Sequence, residues 1–297
     1  MAKPKSTSPL DALEKLQQSL SRKMPTKKEA SPPQMSLPLW PEAVRGIPNA
    51  VLRGALFSVT QRRPMFRKRT LLTTVDGVEI RFKGEGFNQT DLDVCEMLLH
   101  LARQQPLGRR VDFTANALLK ELGRGTGKTQ HEQLKEEISR LAAGLIEITW
   151  PDKDENGRRV AFGGTLVDHY GRDEQPDGTQ RYVVIFREKL LDLYETGYSH
   201  IDWHQRQALG ANNLAKWLHG FYATHAEPLP YKVETIKGLC GSTVERLGDF
   251  RKLLRKALDE LEAIGAIKGY DITDGDLVMV SKVPTLSQQR HLRRRLQ

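Results

Sequence analysis

Between Glu245 and Gly265 the residues Leu247, Phe250, Leu254, Leu258 and Leu261 recur at helical spacing, with charged residues between them. That spacing predicts an amphipathic helix with one buried stripe. Just before it, Val233–Leu239 reads as a shorter helix closed by Gly241. Just after it, two short strand-like runs flank Asp274-Gly275, a pair suited to a tight hairpin turn. Helix, turn, longer helix and hairpin is the layout of a winged helix-turn-helix. That module sets its second helix in the DNA major groove and a hairpin beside it.

Residues 88–150 carry the same pattern earlier in the chain. Asp91–Arg103 reads as an amphipathic helix and Arg109–Phe113 as a short strand. Thr114 is placed to N-cap a helix over Ala115–Leu122. The turn GRGTGKT leads to a helix over Gln130–Ala143, followed by the strands LIEITW and RRVAFGG around PDKDENG. Leu134, Ile138 and Leu141 repeat the spacing of Leu254, Leu258 and Leu261, and Gly144 and Gly265 can each end the longer helix. TLLTTV and VEIRF flank Asp76-Gly77, a strong hairpin signal. VDHYGRDEQPDGTQRYVVIFR reads as a long strand pair, Glu188–Glu195 as a short helix and Ala211–His225 as the helix that opens the later unit. The fold expected is α+β, two tandem winged helix-turn-helix domains with a flexible N-terminal tail. The expected limits are a tail over 1–33, a peptide motif over 34–41, a first domain over 42–200, a second over 201–285 and a basic end over 286–297.

Polar and apolar clusters outside these units add detail. Leu10, Leu13, Leu16 and Leu20 could line a short helix, and TKKEASPPQ reads as a linker too polar to bury itself. QMSLPLWP follows, and Pro38 forbids a regular helix through it. It is either a segment that docks on its own domain or a linear motif for a partner's groove. Gln34, Met35, Leu37 and Leu39 belong to a hexapeptide that resembles the one by which bacterial replication proteins bind the sliding clamp.

The charge narrows the partner. The 297 residues carry a formal net charge of +9, which favours a polyanion, nucleic acid first and membrane surface second. The apolar runs are too short to span a bilayer and the N-terminus lacks the apolar core of a signal peptide, so a soluble, cytoplasmic protein is expected. Cys95 and Cys240 sit among apolar residues and are expected as buried, reduced thiols. Candidate DNA contacts in the later unit are Ser242, Thr243, Arg246, Arg251, Lys252, Arg255 and Lys256. A second basic cluster, Arg62, Arg63, Arg67, Lys68 and Arg69, is either an arm on phosphates or a solvated face. The earlier long helix instead carries Glu132 and Glu136 outward, which would repel phosphates and suits a partner contact. The later helix also carries Asp249, Asp259 and Glu260, so a solvated face of mixed charge is the competing view.

Signals for chemistry are weak. GRGTGKT has one residue too few for a phosphate loop and follows a helix rather than a strand. His200 and His204 are four apart but lack the glutamate of a zinc-protease motif. Trp203 and Ile201 suggest an extended run there. Ser58, Ser139 and Ser242 lie in no Gly-x-Ser-x-Gly elbow, and no two histidines are separated by one residue, as a nicking nuclease would need. No catalytic residue, metal site or cofactor is expected, and the protein is expected not to be an enzyme.

IPNAVLRGALFSV at Ile47–Val59, the arginine cluster after it and the tandem layout resemble the TrfA family, replication initiators of broad-host-range plasmids. The resemblance implies binding to double-stranded origin repeats (iterons), opening of an adjacent AT-rich segment and contact with the single strand so exposed. It also implies recruitment of the sliding clamp, the replicative helicase and DnaA, and a monomer–dimer equilibrium that restrains copy number. A transcriptional regulator on the same fold is the alternative.

Overall fold

Four helices begin where a side chain takes up free amides, while the two longest, Lys128–Ala143 and Leu247–Ala263, begin without such a cap. The computed structural model describes residues 36–75, 77–104, 110–153 and 159–295. The expected tail, its short helix and linker, Gln34, Met35, Asp76 and most of PDKDENG lie outside the described residues. In chain order the elements are β1 (Val44–Pro48), α1 (Asn49–Leu52), β2 (Phe57–Ser58), β3 (Met65–Leu72), β4 (Glu79–Glu85), β5 (Phe87–Asn88) and α2 (Gln89–Ala102). Then come β6 (Arg110–Thr114), α3 (Ala115–Glu121), α4 (Lys128–Ala143), β7 (Leu145–Lys153), β8 (Arg159–Gly164), β9 (His169–Glu174) and β10 (Gln180–Ile185). A 3-10 turn, Glu188–Leu190, leads to α5 (Leu191–Glu195), β11 (Tyr198–Asp202), α6 (Trp203–Ala208) and α7 (Asn213–Ala223). The chain closes with β12 (Tyr231–Lys232), α8 (Val233–Leu239), α9 (Leu247–Ala263), β13 (Gly269–Ile272), β14 (Leu277–Ser281) and α10 (Leu286–Arg295). The protein is therefore α+β.

The caps are those the sequence offers. Asn88 opens α2 with a capping box: its side chain accepts from Thr90 N and Asp91 N, and Asp91 accepts from Asn88 N at 2.9 Å. Thr114, Asp202 and Asn212 cap α3, α6 and α7 more simply, each side chain accepting from one backbone N–H. Two apolar cores result. The first collects residues from Leu37 to Trp203, and the second those from Leu209 to Val278. Val59 and Val75, from early in the chain, pack against the second core.

Ile47–Val59 is the seam between those cores. Ile47, Val51, Leu52, Leu56 and Phe57 are buried in the first. On its other side Arg53 Nε donates to Thr224 Oγ1 at 2.9 Å, Trp217 Nε1 donates to Gly54 O at 3.1 Å, and Val59 N donates to Cys240 O at 3.0 Å. Gly241 (φ +65°) ends the turn after α8 against this strip, where a Cβ would lie 2.9 Å from Ser58 Cβ. A buried ion cluster reinforces the seam. Arg206 Nε lies 2.7 Å from Asp93 Oδ1 and 3.0 Å from Glu96 Oε2, and Lys216 Nζ lies 2.7 Å from Asp93 Oδ2. Glu96 is in ion-pair range of Arg206 yet neither of its oxygens has a hydrogen bond, and burial pushes its carboxyl up to about 7.

The sheets correct one expectation. In the later unit β14 pairs with both β12 and β13, in the order β12-β14-β13. In the earlier unit β6 pairs not with β8 but with β10, in the order β6-β10-β9. The hairpin that corresponds to β13–β14 is thus β9–β10. β7 and β8 instead extend the β3–β4 hairpin into a four-stranded sheet, β3-β4-β7-β8. Two smaller differences accompany this. Met65–Arg69 is strand rather than arm, because it forms the edge of that sheet. Trp203 begins a helix capped by Asp202 rather than continuing a strand. The basic end is helical through Arg295, and Gln288 Nε2 ties it to the Ala223 carbonyl at 2.9 Å.

Candidate nucleic-acid interface

The best-defined basic surface lies on α9. Phe250, Leu254, Ala257, Leu258 and Leu261 are buried, so the stripe read from the sequence faces the second core. The opposite face is left to Lys252, Arg255 and Lys256, all exposed, with Arg246 exposed at the N-cap. Lys252 is 81% exposed and makes only a 3.4 Å contact with Asp249. Thr243 is exposed and Ser242 half-buried in the turn before the helix, where Ser242 Oγ accepts from Val244 N at 3.3 Å. Ser242, Thr243, Leu253 and Lys256 line a cleft of about 450 Å³ together with Gln61 and Asn213.

Arg251 has a different place. Its Nε donates to Asp276 Oδ1 at 2.7 Å and its Nη2 to Asp276 Oδ2 at 2.5 Å. Asp276 is the turn residue between β13 and β14, with φ of 62°. That left-handed conformation is tolerated by Asp better than by most residues. Its carbonyl also accepts from Val233 N at 2.9 Å. Arg251 is therefore a strut between the helix and the hairpin turn, and the side-chain bond to Asp276 raises its pKa. The sequence grouped it with the phosphate contacts because nothing local distinguishes it from Lys252.

The earlier basic cluster splits in the same way. Arg62, Arg67, Lys68 and Arg69 are exposed, with Arg69 3.2 Å from Glu147. Arg63 is turned inward. Its Nη2 donates to Asn88 Oδ1 at 3.0 Å, Thr90 Oγ1 at 3.1 Å and Asp91 Oδ2 at 3.3 Å, so it braces the start of α2. Met65 and Leu71 on the same strand are exposed, which gives β3 an apolar as well as a basic face.

On α4 the exposed residues include Glu132 and Glu136, and they line a cleft of about 940 Å³ with Arg140 and Lys216. The turn before α4 is used internally: Arg124 Nη1 lies 2.7 Å from Glu137 Oε2, and Glu137 is buried. Lys128 is exposed at the first turn of the helix.

The peptide motif is only partly described. Leu37 is 2% exposed, inside the first core, whereas Leu39 is 77% exposed. Of the two readings the sequence leaves open, the placement of Leu37 is that of a segment docked on its own domain, while Leu39 stays accessible. Both cysteines are free and buried, and burial holds the Cys240 thiol up at about 12. His200 lies on β11 and His204 on α6, and among the described residues no group of three His, Cys, Asp or Glu could hold a metal ion. Among them, too, no helix is long and apolar enough to cross a membrane. The buried Arg206, Asp93 and Glu96, with the half-buried Lys216, were missed by sequence reasoning. The Asp202 cap of α6 was the signal that could have exposed the helix carrying Arg206.

The sequence profile of the family described as TrfA protein matches residues 14–282. An Escherichia coli protein described as plasmid replication initiator protein TrfA is 26% identical over 261 residues. That match covers 85% of this chain and 66% of the relative, so the chain spans just under two thirds of its length. Two solved structures of RctB domains 2 and 3, one of them a selenomethionine derivative, share the fold at 10% identity. The derivative gives a TM-score of 0.50 and covers 72% of this chain and 85% of its own. The other gives 0.52 and covers 82% of this chain and 99% of its own.

Proposed function

The chain belongs to the TrfA protein family, and from that premise we propose that it is a non-enzymatic plasmid replication initiator that binds repeated origin sites through two winged helix-turn-helix units. The observation that carries the reading is the face of α9. Lys252, Arg255 and Lys256 stand free of the core beside a hairpin that Arg251 and Asp276 hold in place. Exposed cations on that face supply phosphate contacts and, through Arg255, a guanine-edge contact. Contact energy in excess of that needed for binding offsets the cost of bending and opening the duplex. The earlier unit, with Glu132 and Glu136 outward, serves contacts with a second copy in a monomer–dimer equilibrium. The exposed cations of β3 serve the DNA backbone, duplex or opened strand. The sliding clamp, engaged through Gln34, Met35, Leu37 and Leu39, the replicative helicase and DnaA complete the expected partners in the cytoplasm, with no cofactor.

The test is a pair of measurements on origin DNA. Lys252→Ala with Lys256→Ala should weaken repeat binding and lower the slope of log K against log salt by roughly one unit per lost phosphate contact. An unchanged slope would remove α9 from the interface. Permanganate reactivity at an AT-rich segment separates the two roles: melted thymines support an initiator, and footprints without them support a transcriptional regulator.

A further inference from the structure

The segment after the described N-terminal limit is built into the protein more firmly than a free recruitment peptide would be. Leu37 is 2% exposed and Trp40 is 5% exposed, both in the first core. The Trp40 ring stacks on Tyr194 with centroids 6.1 Å apart and planes 10° apart. Its Nε1–H donates to His100 Nδ1 at 3.1 Å, which leaves Nε2 of the same imidazole to donate to Glu42 Oε1 at 2.8 Å. Arg103 closes the arrangement, with Nε donating to the Trp40 carbonyl at 3.3 Å and Nη2 paired with Glu42. Gly46 lies flat under the indole, where any Cβ would come within 2.6 Å of Trp40 Cε3. Leu39, two residues from Leu37, points the other way and is 77% exposed.

We propose that this docking is autoinhibitory: the first core holds Leu37 through the Trp40–Glu42 latch, and the sliding clamp can take the segment only after it has undocked. The inference rests on the reading of Gln34–Leu39 as a clamp-binding peptide. A groove that recognises the peptide by its apolar side chains needs Leu37 and Leu39 together, and the docked form gives one to the core and one to solvent. A side chain buried in one site is withheld from the other, so the affinity of the whole chain is reduced by the fraction of molecules undocked. The latch residues Trp40 and Glu42 lie outside the hexapeptide, so they can be changed without touching the surface the clamp would read.

The experiment compares clamp affinity for the full chain, for a synthetic peptide spanning 30–42, and for two full-chain variants. Trp40→Ala removes the stack and the bond to His100. Glu42→Ala, at a side chain 79% exposed, removes the contacts to His100 and Arg103 with little risk to folding. The peptide should bind at least about tenfold more tightly than the full chain, as expected for a minor undocked population. Trp40→Ala should close most of that gap and Glu42→Ala part of it. Hydrogen exchange at Trp40 and Glu42, outside the hexapeptide, should rise when clamp is added. Equal affinity of peptide and full chain, with neither variant binding more tightly, overturns the autoinhibition and leaves the clamp reading standing. No clamp binding by the peptide or by any chain overturns the clamp reading itself, and this inference with it.

Discussion

Leu134, Glu137, Ile138 and Leu141 of α4 occupy the same spacing as Leu254, Ala257, Leu258 and Leu261 of α9, and all eight are buried. Around that shared stripe the two units agree further. Asn88 and Asn212 cap the helices that open them, α3 and α8 have seven residues each, and Gly123 and Gly241 follow with φ of 69° and 65°. Arg140 reaches Asp91 at 2.9 Å from α4, and Glu260 accepts from Asn212 at 2.8 Å from the matching place on α9. The same brace is made with opposite charge. The outward faces diverge most, since α4 presents Glu132 and Glu136 where α9 presents Lys252 and Lys256. Packing is thus held in common while surface charge is free to differ, which is how one scaffold can serve two partners.

The largest effects test the common part. Leu134→Ala and Leu254→Ala remove side chains with no exposed surface, and each should cost about 2–5 kcal/mol in chemical unfolding. A loss under about 1 kcal/mol at one site only would show that the two stripes are not equivalent. The next effect tests the one charged residue among those eight. Ala257 needs no partner, but Glu137 depends on Arg124. Arg124→Val should destabilise by about 3 kcal/mol because the buried carboxylate loses its counterion. Burial already raises the Glu137 pKa above its ordinary 4.5, with Arg124 opposing the rise. Without Arg124 that pKa climbs further. The native state then holds more protons than the unfolded one above pH 4.5, so stability falls as pH rises and the deficit shrinks on acidification toward that value. Arg124→Val with Glu137→Ala, which reproduces the Val244 and Ala257 of the later unit, should regain most of the loss at neutral pH. If it does not, the ion pair does more than satisfy itself. The smallest effect concerns α9 alone: Arg251→Ala should leave the salt slope of DNA binding nearly unchanged, because that guanidinium is already held by Asp276.

The helices were legible because their information is local. The stripe of α9, the Thr114 cap and the glycines after α3 and α8 can all be read within a few residues of chain. Hairpin partners were legible for the same reason, since β3–β4, β7–β8, β9–β10 and β13–β14 pair as read, but distant strand partners were not. β6 could be seen as a strand, but its choice of β10 over β8 is made across about seventy residues and leaves no mark in either segment. The site divides along the same line. That Lys252 and Lys256 point outward follows from helical period alone. That Arg63 braces α2, Arg251 ties down a turn and Leu37 is enclosed depends on partners 25 or more residues away, or on the core as a whole. A basic residue near a helix start looks the same in sequence whether it waits for phosphate or already holds a carboxylate.

The seam at Ile47–Val59 also fixes an order of assembly. Val44 to Pro48 pair with Asp202 to Tyr198, so the first core cannot be completed until the chain has been made through Asp202. Val59 must then wait again, for Cys240. Pairings of such long range close slowly, because loop entropy is lost before contacts form. The early strip therefore spends much of synthesis with its apolar side chains unsheltered, and a fragment cut near residue 201 would leave behind the Val59 that the second core packs against.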